Sequence, residues 1–436
     1  MDLLIKNAKV LTMNESMDII ENGSITVRDD KIYYVSKEGV VPPDFSSANT
    51  IDAKGKLVMP GLINTHTHAA MSLLRNYADD MPLEKWLFEK MFPTEDKFTG
   101  EDVYWGAMLS IVEMIRTGTT TFADMYFFME EVARAVEETG IRANLSRGLQ
   151  CFDEQFDAET DKRLNEAKEL FNNWNGKADG RIRVYLGPHS IYTCVPDYLR
   201  EAANLAKELG TGIHIHLLET QKEAKDSIRN FGCTGVEHCL KLGVFDVPVI
   251  AAHCVHLSDN DLEILVKKKV SAAHNPGSNL KLGSGIARLP EMLSKGLNVC
   301  LGTDGAASNN NLDMFEEIRL SGLISKGFHL NPTLIDANEA VRMAVSNGAK
   351  ALGIQDEVGV IRAGMKADLM IVDTNRVNYI PKNNVVSALA YSSNSLDVET
   401  VIVNGKVLME GGQLKTIDEE KVIYQVEKRV KQLSGK

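Results

Sequence analysis

The sequence predicts an α/β protein in which a (β/α)8 TIM-type barrel is joined to a small β-sandwich-like domain formed by both chain ends. Three observations lead to this prediction. The chain has 436 residues, which exceeds the roughly 250 residues of a typical barrel. Its middle alternates short apolar runs with amphipathic helical stretches, the pattern of a β/α protein. Its two ends instead carry short apolar runs separated by turn signals.

The N-terminal segment is predicted to supply strands to the small domain. Residues 3–13 and 24–27 are apolar runs of strand length, and Asn22-Gly23 has the composition of a tight turn. Turn signals at this spacing favour a short, antiparallel arrangement over a β/α unit.

The C-terminal segment has the same character. Residues 367–372 form an apolar run, and residues 401–408 are predicted to form a hairpin. A closing helix is expected, with apolar side chains at helical spacing at Val422, Ile423, Val426 and Val430. We therefore predict one interrupted β domain from residues 1–57 and 366–436, with the barrel inserted as residues 58–365.

Eight apolar runs in the middle segment are predicted to be the barrel strands. They end near Ile63, Ala123, Ser146, Gly187, Leu217, Ala252, Ala273 and Gly302. Helical stretches lie between them, for example at residues 102–116, 131–139, 196–209 and 259–269. An open doubly wound sheet is the alternative, but no G-x-G-x-x-G motif follows the first strand.

Composition excludes several classes of function. With 48 basic and 60 acidic residues the formal net charge is −12, which argues against a nucleic-acid partner. The six cysteines form no C-x-x-C pair, so a thiolate zinc site is not expected. No signal peptide or apolar run of about 18 residues is recognisable, so we expect a cytoplasmic protein without a membrane partner. Homo-oligomerisation is left open.

Side chains that bind metals stand at the predicted strand ends, where barrel enzymes place their functional groups. His66 and His68 are two residues apart and therefore point to the same side of a strand. His216 near the end of the fifth strand and Asp304 after the eighth complete a set of three imidazoles and one carboxylate. This set fits zinc with an open position for water. No lysine ends the fourth strand, so one metal ion is favoured over two.

Some of these residues also have a structural interpretation. Asp304 could instead be the N-cap of a following helix. His214 is more simply a core histidine or a support for a ligand, and His274 is more simply structural. Glu219 is predicted to reach a metal-bound substrate, unless it is a solvent-facing loop carboxylate.

The strand-end motifs resemble those of the amidohydrolase superfamily, whose members are metal-dependent hydrolases and deaminases on a barrel. The resemblance rests on residues 60–68, His216 with Glu219, and residues 252–256, 273–276, 301–308 and 364–369. Within the superfamily the chain looks most like the 5-methylthioadenosine/S-adenosylhomocysteine deaminases. This similarity rests on residues 86–88, 92–95, 124–126, 147–148, 187–190 and 274–283.

The resemblance implies a site and a reaction. The implied site has one zinc ion bound by His66, His68, His216 and Asp304, with Glu219, His253 and Asp304 as catalytic groups. Glu95 and His189 are implied to contact the ribose of a purine nucleoside, Arg147 another part of the substrate, and Trp86 the adenine. The implied reaction is hydrolytic deamination of 5′-methylthioadenosine, S-adenosylhomocysteine or adenosine to an inosine-type product and ammonia.

Alternatives remain open at this level. Residues 151–168 depart from the family pattern, and Arg163 is the only candidate there for a second arginine. Trp86 could be core, Glu95 a surface carboxylate, and Arg147 a partner of an internal acid such as Asp124. The chain could also be a sister hydrolase of guanine, cytosine or an amino- or chlorotriazine, or a non-catalytic barrel scaffold. A lid is expected within residues 73–98.

Overall fold

Five strands form from the first sixty residues of the chain. The computed structural model describes residues 2–37, 39–47 and 49–434. The strands are β1 (Leu3–Leu11), β2 (Ile19–Arg28), β3 (Lys31–Ser36), β4 (Asn49–Asp52) and β5 (Leu57–Pro60). β1 pairs antiparallel with β2 and parallel with β4 and β5.

The next eight strands form the predicted barrel. Each lies beside its sequence neighbour in one parallel sheet. They are β6 (Leu62–Thr67), β7 (Thr119–Tyr126), β8 (Arg142–Leu149), β9 (Ile182–Pro188), β10 (Ile213–Leu217), β11 (Val249–His253), β12 (Ser271–His274) and β13 (Asn298–Leu301). All eight predicted strands are thus confirmed. β6 runs four residues past the predicted end near Ile63, so it includes His66.

Side chains close the barrel between β13 and β6. The hydroxyl of Thr65 donates to the carbonyl of Leu301 at 2.8 Å. The amide of Asn64 donates to the Thr303 hydroxyl at 2.7 Å and accepts the Thr303 N–H at 3.0 Å. The N–H of Asp304 then donates to the carbonyl of His66 at 3.0 Å. This seam joins the first and last strands at the end where the polar residues lie.

The last four strands return to the N-terminal sheet. They are β14 (Leu369–Val372), β15 (Val398–Val403), β16 (Lys406–Glu410) and β17 (Gln413–Leu414). β5 pairs with both β1 and β14, so both chain ends share one continuous nine-stranded sheet with a core of its own. β5 thus connects the strands of the two chain ends, which confirms that both ends build one unit. The domain limits at 57/58 and 365/366 stay a prediction, and β5 extends the end sheet to Pro60.

Helices fill the connections around the barrel. The α-helices of six or more residues are Gly100–Arg116, Met129–Thr139, Lys162–Trp174, Pro196–Leu209, Gln221–Phe231, Gly235–Lys241, Asp259–Lys267, Pro276–Lys281, Leu289–Ser294, Met314–His329, Ala337–Met343, Ser346–Ala351, Val385–Tyr391 and Glu419–Ser434. None of the helices in the described ranges is long and apolar enough to cross a membrane.

The connection after β6 is the segment predicted to hold a lid. It contains a 3-10 helix, Ala69–Leu74, and then the short α-helix Leu83–Lys85. A π-helical turn, Trp86–Met91, follows and continues into Phe92–Glu95. Turns of π-helix are rare and are often found at functional sites.

Two local predictions are corrected by the structure. Asn22-Gly23 is not a turn between strands but lies inside β2, where Asn22 has a φ of 49° and the pairing with β1 is irregular. The pair therefore forms a bulge. In the closing helix, Val430 is 38% exposed, whereas Arg429 is buried and contacts Asp102 at 3.0 Å. An ion pair thus occupies the packing position predicted for an apolar side chain.

Candidate active site

Three histidines and one aspartate meet where β6, β10 and β13 end. The Nε2 atoms of His66 and His68 each lie 3.3 Å from Asp304 Oδ1. The Nε2 atom of His216 lies 3.2 Å from that of His68. The strand order brings together side chains that are more than two hundred residues apart in the sequence.

The outer ring nitrogens of these histidines are occupied, which fixes the direction of the inner ones. His68 Nδ1–H donates to the Met125 carbonyl at 2.6 Å, and His216 Nδ1–H donates to the His189 carbonyl at 2.7 Å. A neutral imidazole protonated at Nδ1 carries a lone pair at Nε2. The two facing Nε2 atoms therefore both present lone pairs, which repel each other unless a cation lies between them.

His66 completes this arrangement. Its Nδ1 lies 2.8 Å from His214 Nε2, so His214 supports it from below, as predicted. Its Nε2 is buried without a hydrogen-bond partner within the described ranges, and burial lowers the pKa of His66 to about 4. Neutral imidazoles and a carboxylate aimed at one point are suitable ligands for a divalent metal ion.

Asp304 is held with one oxygen turned toward the histidines. Its Oδ2 accepts the hydroxyls of Ser278 at 2.6 Å and Ser308 at 2.8 Å, whereas Oδ1 accepts the Gly305 N–H at 2.8 Å. Its φ is 61°, an unusual conformation for a residue other than glycine. The N-cap alternative is wrong, because the next helix begins at Met314 and is capped by Asp313.

Glu219 and His253 lie beside this cluster. Both are almost completely buried, and His253 Nε2 is 3.9 Å from Glu219 Oε2. Ser284 donates to Glu219 Oε1 at 3.0 Å, and His253 Nδ1–H donates to Asn279 Oδ1 at 2.8 Å. Burial raises the pKa of Glu219. Burial acts to lower the pKa of His253, but the charges of Glu219 and Asp304 and the hydrogen bond to Asn279 together outweigh it, so the pKa is raised.

The two turns that carry these residues are linked to each other. Leu218 and His253 both have positive φ, 50° and 72°. The Leu218 carbonyl accepts the N–H groups of Val255 and His256, each at 3.0 Å. Glu223 was not predicted to belong to the site, but its carboxylate accepts the N–H groups of Leu218 and Glu219. Thr220-x-x-Glu223 is a capping-box signature, which indicates a helix start but not this support.

One cavity of about 850 Å³ opens onto the cluster. Cavities of this size bind small molecules. The cavity is lined by ten of the residues singled out from the sequence: His68, Trp86, Glu95, Arg147, Arg163, His189, His216, Glu219, His253 and Asp304. His66 lies beneath its floor and is fully buried, whereas His274 does not contribute to the lining.

Glu95 and His189 stand on the wall of this cavity. Glu95 is 9% exposed, which excludes the surface-carboxylate alternative, and its carboxylate accepts a hydrogen bond from the Tyr126 hydroxyl. Burial raises the pKa of Glu95 to about 6. His189 Nδ1 lies 3.0 Å from the Thr193 hydroxyl, so its other nitrogen faces the cavity. Trp86 is 5% exposed and lies on the π-helical turn.

Arg147 lies at the end of β8 and has a different partner from the one considered. Its Nε–H donates to Glu166 Oε2 at 2.8 Å. Asp124 accepts the Ala69 N–H at 2.7 Å and the Thr67 hydroxyl at 3.0 Å instead. The Asp124 pairing is therefore wrong, because that carboxylate holds the β6 end.

Comparison with known proteins places this site among related ones. The sequence profile of the Amidohydrolase family matches residues 57–408. Relatives from Thermoanaerobacter pseudethanolicus and Acetivibrio thermocellus, both named 5-methylthioadenosine/S-adenosylhomocysteine deaminase, are each 52% identical to this chain. The first aligns over 434 residues, 99% of both chains, and the second over 436 residues, 99% of this chain and 100% of the relative.

Solved structures of two zinc-bound hydrolases also resemble this chain. An adenosine deaminase from Xanthomonas campestris with bound zinc superposes with a TM-score of 0.93 and is 31% identical, covering 100% of this chain and 99% of the other. An atrazine chlorohydrolase from Arthrobacter aurescens complexed with zinc has a TM-score of 0.91 at 25% identity, covering 98% of this chain and 100% of the other.

Proposed function

The chain belongs to the amidohydrolase family, and from this premise we propose that it is a metal-dependent deaminase of adenine nucleosides. Its substrates would be 5′-methylthioadenosine and S-adenosylhomocysteine, the compounds in the names of the relatives 52% identical to it. Water replaces the exocyclic amine, giving an inosine-type product and ammonia. The observation that carries this proposal is the buried Glu219–His253 pair, 3.9 Å apart beside the His/Asp cluster in one cavity.

The metal site would be formed by His66, His68, His216 and Asp304. Three imidazoles and one carboxylate suit zinc, and β9 ends in Pro188 without a lysine to bridge a second ion. We therefore propose a single zinc ion. Bound there, zinc would lower the pKa of a water ligand to about 7 and so supply a nucleophile at neutral pH.

Two acids of the chain would move the protons. Glu219, whose pKa is raised by burial, donates a proton to the ring nitrogen next to the carbon that is attacked. This transfer makes the carbon more electrophilic. Asp304 takes the proton of the attacking water and passes it to the departing ammonia. The hydroxyls of Ser278 and Ser308 hold Asp304 in place for this exchange.

His253 would stabilise the tetrahedral centre that forms at the attacked carbon. Its Nδ1–H is committed to Asn279, so Nε2 is the atom that faces the reaction. When the ring also carries a proton at Nε2, it donates a hydrogen bond to the developing negative oxygen. Preorganised donors of this kind usually contribute strongly to rate enhancement.

The remaining cavity residues would position the nucleoside. Glu95 and His189 are proposed to contact the ribose hydroxyls, Arg147 the group beyond the ribose, and Trp86 the adenine. A sister hydrolase of a free base would not need the ribose contacts. The 25% identity to the atrazine chlorohydrolase keeps a triazine substrate as the second candidate.

The test is ammonia release from a panel of compounds by the purified protein, with chloride release measured for atrazine. The panel contains 5′-methylthioadenosine, S-adenosylhomocysteine, adenosine, guanine, cytosine and atrazine, with Glu219→Gln as the inactive control. The proposal requires turnover of the nucleosides. Turnover of only a free base or a triazine would refute it, and absence of both turnover and bound metal would favour a scaffold. A cytoplasmic location and homo-oligomerisation stay predictions.

A further inference from the structure

An ion pair on the cavity wall has no part in the proposed proton transfers. Arg147 Nε–H donates to Glu166 Oε2 at 2.8 Å, and both residues line the cavity. The other Glu166 oxygen, Oε1, lies 3.6 Å from Nζ of Lys162, whose side chain is 87% exposed. Arg163 also lines the cavity and has no ion-pair partner among residues 2–37, 39–47 and 49–434. Its charge is therefore available to a ligand.

Arg147, Arg163 and Glu166 place charges of both signs on the lining of the cavity. Arg163 and Arg147 are cations, and Glu166, which is paired with Arg147, is an anion. The α-amino acid end of S-adenosylhomocysteine carries an ammonium and a carboxylate. Such a group needs one carboxylate acceptor and one guanidinium donor at short range. The methyl group of 5′-methylthioadenosine needs neither.

Two other acids that line the cavity are already engaged. Glu131 lies 2.9 Å from the guanidinium of Arg134. Glu130 accepts a hydrogen bond from the indole N–H of Trp174. Glu166 is held by Arg147 through one oxygen only, and its second oxygen faces a flexible, solvated lysine. Glu166 Oε1 is therefore open to an ammonium beside the Arg147 guanidinium.

We propose that Glu166 is a specificity-determining residue that accepts a hydrogen bond from the α-ammonium of an amino-acid tail on the substrate. Through its other oxygen it holds Arg147 in position. This inference rests on the proposed deamination of adenine nucleosides. It goes further by assigning the discrimination between substrates with and without an ammonium to one carboxylate.

The contact between Glu166 and the ammonium should appear as a ratio of kcat/KM values for two substrates. A hydrogen bond between charged groups that is lost typically changes kcat/KM by roughly 10- to 100-fold. Two substrates isolate it: S-adenosylhomocysteine and its des-amino analogue, which keeps the carboxylate but lacks the ammonium. The wild-type holoenzyme is expected to prefer the first by that factor.

The experiment measures kcat/KM for both compounds and for 5′-methylthioadenosine in three proteins. They are the wild type, Glu166→Gln and Glu169→Gln. Glu169 lies on the same helix, is exposed and does not line the cavity, so it is a matched control for the loss of one charge. The preference is expected to fall to about one in Glu166→Gln and to persist in Glu169→Gln. Glu166→Asp, which keeps the charge, is expected to retain part of it.

Two results would overturn the inference. One is a wild-type enzyme that turns over both compounds equally. The other is a preference that survives in Glu166→Gln or disappears equally in Glu169→Gln. If the wild type releases ammonia from none of the three nucleosides, the proposed function itself fails, and the inference fails with it. Turnover of 5′-methylthioadenosine separates these cases.

Discussion

The side-chain carboxylate of Glu223 accepts a 2.9 Å hydrogen bond from the backbone N–H of Glu219, so one buried acid holds the main chain of another. Its second oxygen accepts the N–H of Leu218, also at 2.9 Å. Leu218 has a φ of 50°, and a conformation of this kind costs about 1–3 kcal/mol. Glu223 therefore stabilises the turn that directs Glu219 into the cavity.

Replacing Glu223 should lower turnover more than it lowers substrate binding. Glutamine keeps one acceptor oxygen but presents an amide to the other N–H, which loosens the turn. A displacement of about 1 Å at a reacting group can cost up to about 100-fold in rate, so we expect Glu223→Gln to lower kcat by about 10- to 100-fold with a smaller change in KM. Steady-state ammonia release measures both constants.

The capping box at Thr234 provides the control for this prediction. Glu237 accepts the N–H of Thr234 at 3.0 Å at the start of the helix Gly235–Lys241 and does not line the cavity. Glu237→Gln should affect stability without lowering kcat. Equal losses of kcat in the two variants would mean that the effect comes from the helix start and not from the Glu219 turn.

The assignment of Glu219 as the proton donor predicts in which direction activity changes with pH. Burial raises the pKa of Glu219, and the Ser284 hydroxyl, which favours the ionised form, opposes that rise. Activity should fall as pH increases through this pKa, because the donor loses its proton. Ser284→Ala removes the opposing hydrogen bond, so the alkaline limb of the kcat/KM profile should move to higher pH. A shift to lower pH would contradict the assignment.

Metal binding can be tested with two buried histidines. His216→Ala removes an Nε2 atom from the cluster, whereas His274→Ala changes a buried histidine away from the cavity. The first variant should lose bound metal and activity, and the second should retain both. Metal analysis of the purified proteins gives the result. Chelation should also lower the melting temperature of the wild type, because a ligand at 100 times its Kd stabilises by about 2.7 kcal/mol.

The strand periodicity explains why much of this site could be predicted. His66 and His68 share a face because side chains alternate along a strand. Parallel strand ends meet at one edge, so His216 and Asp304 fall near them although they are distant in sequence. The roles of Glu95, His189 and Trp86 were predicted from the family resemblance. No periodic pattern in the sequence indicates that these three side chains line one cavity.

What escaped prediction depends on packing between elements. The partner of Arg147 is Glu166, which lies 19 residues away beyond a connection with no regular pattern. Asn22-Gly23 has the composition of a turn, but pairing with β1 extends β2 through it as a bulge. Arg429 is buried because Asp102 on a separate helix neutralises it. None of these outcomes is encoded in the local sequence alone.

A buried ion pair should make the barrel and the end sheet depend on each other. Arg142 on β8 donates from Nε to Asp368 Oδ2 at 2.7 Å, and both side chains are 2% exposed. Asp368→Asn leaves the guanidinium without its counter-charge, which typically costs about 3–5 kcal/mol. Urea unfolding should show this loss. Glu263→Gln, which removes the exposed partner of Lys295, should change stability by no more than about 1 kcal/mol.

Glu317 predicts how stability changes with pH. It is fully buried, accepts the Gly277 N–H at 2.9 Å and the Asn309 amide at 2.8 Å, and burial raises its pKa from the ordinary 4.5 to about 8. The folded state therefore binds one proton that the unfolded state releases between these values. Its contribution to stability is fully present below pH 4.5 and is lost as pH rises through 8, at up to about 1.4 kcal/mol per pH unit.

Glutamine at this position isolates that contribution. Glu317→Gln keeps an acceptor oxygen but cannot ionise, so its free energy of unfolding should fall less steeply with pH than that of the wild type. We compare the free energy of unfolding of each protein with its own value at low pH. Near pH 8 the wild type should have lost more of this free energy than the variant. Glu316→Gln removes an exposed neighbouring carboxylate and should leave the slope unchanged. Parallel slopes for wild type and Glu317→Gln, measured by urea unfolding between pH 5 and pH 8, would show that Glu317 is already ionised in the folded protein, because only a proton held by folding can make the slopes differ.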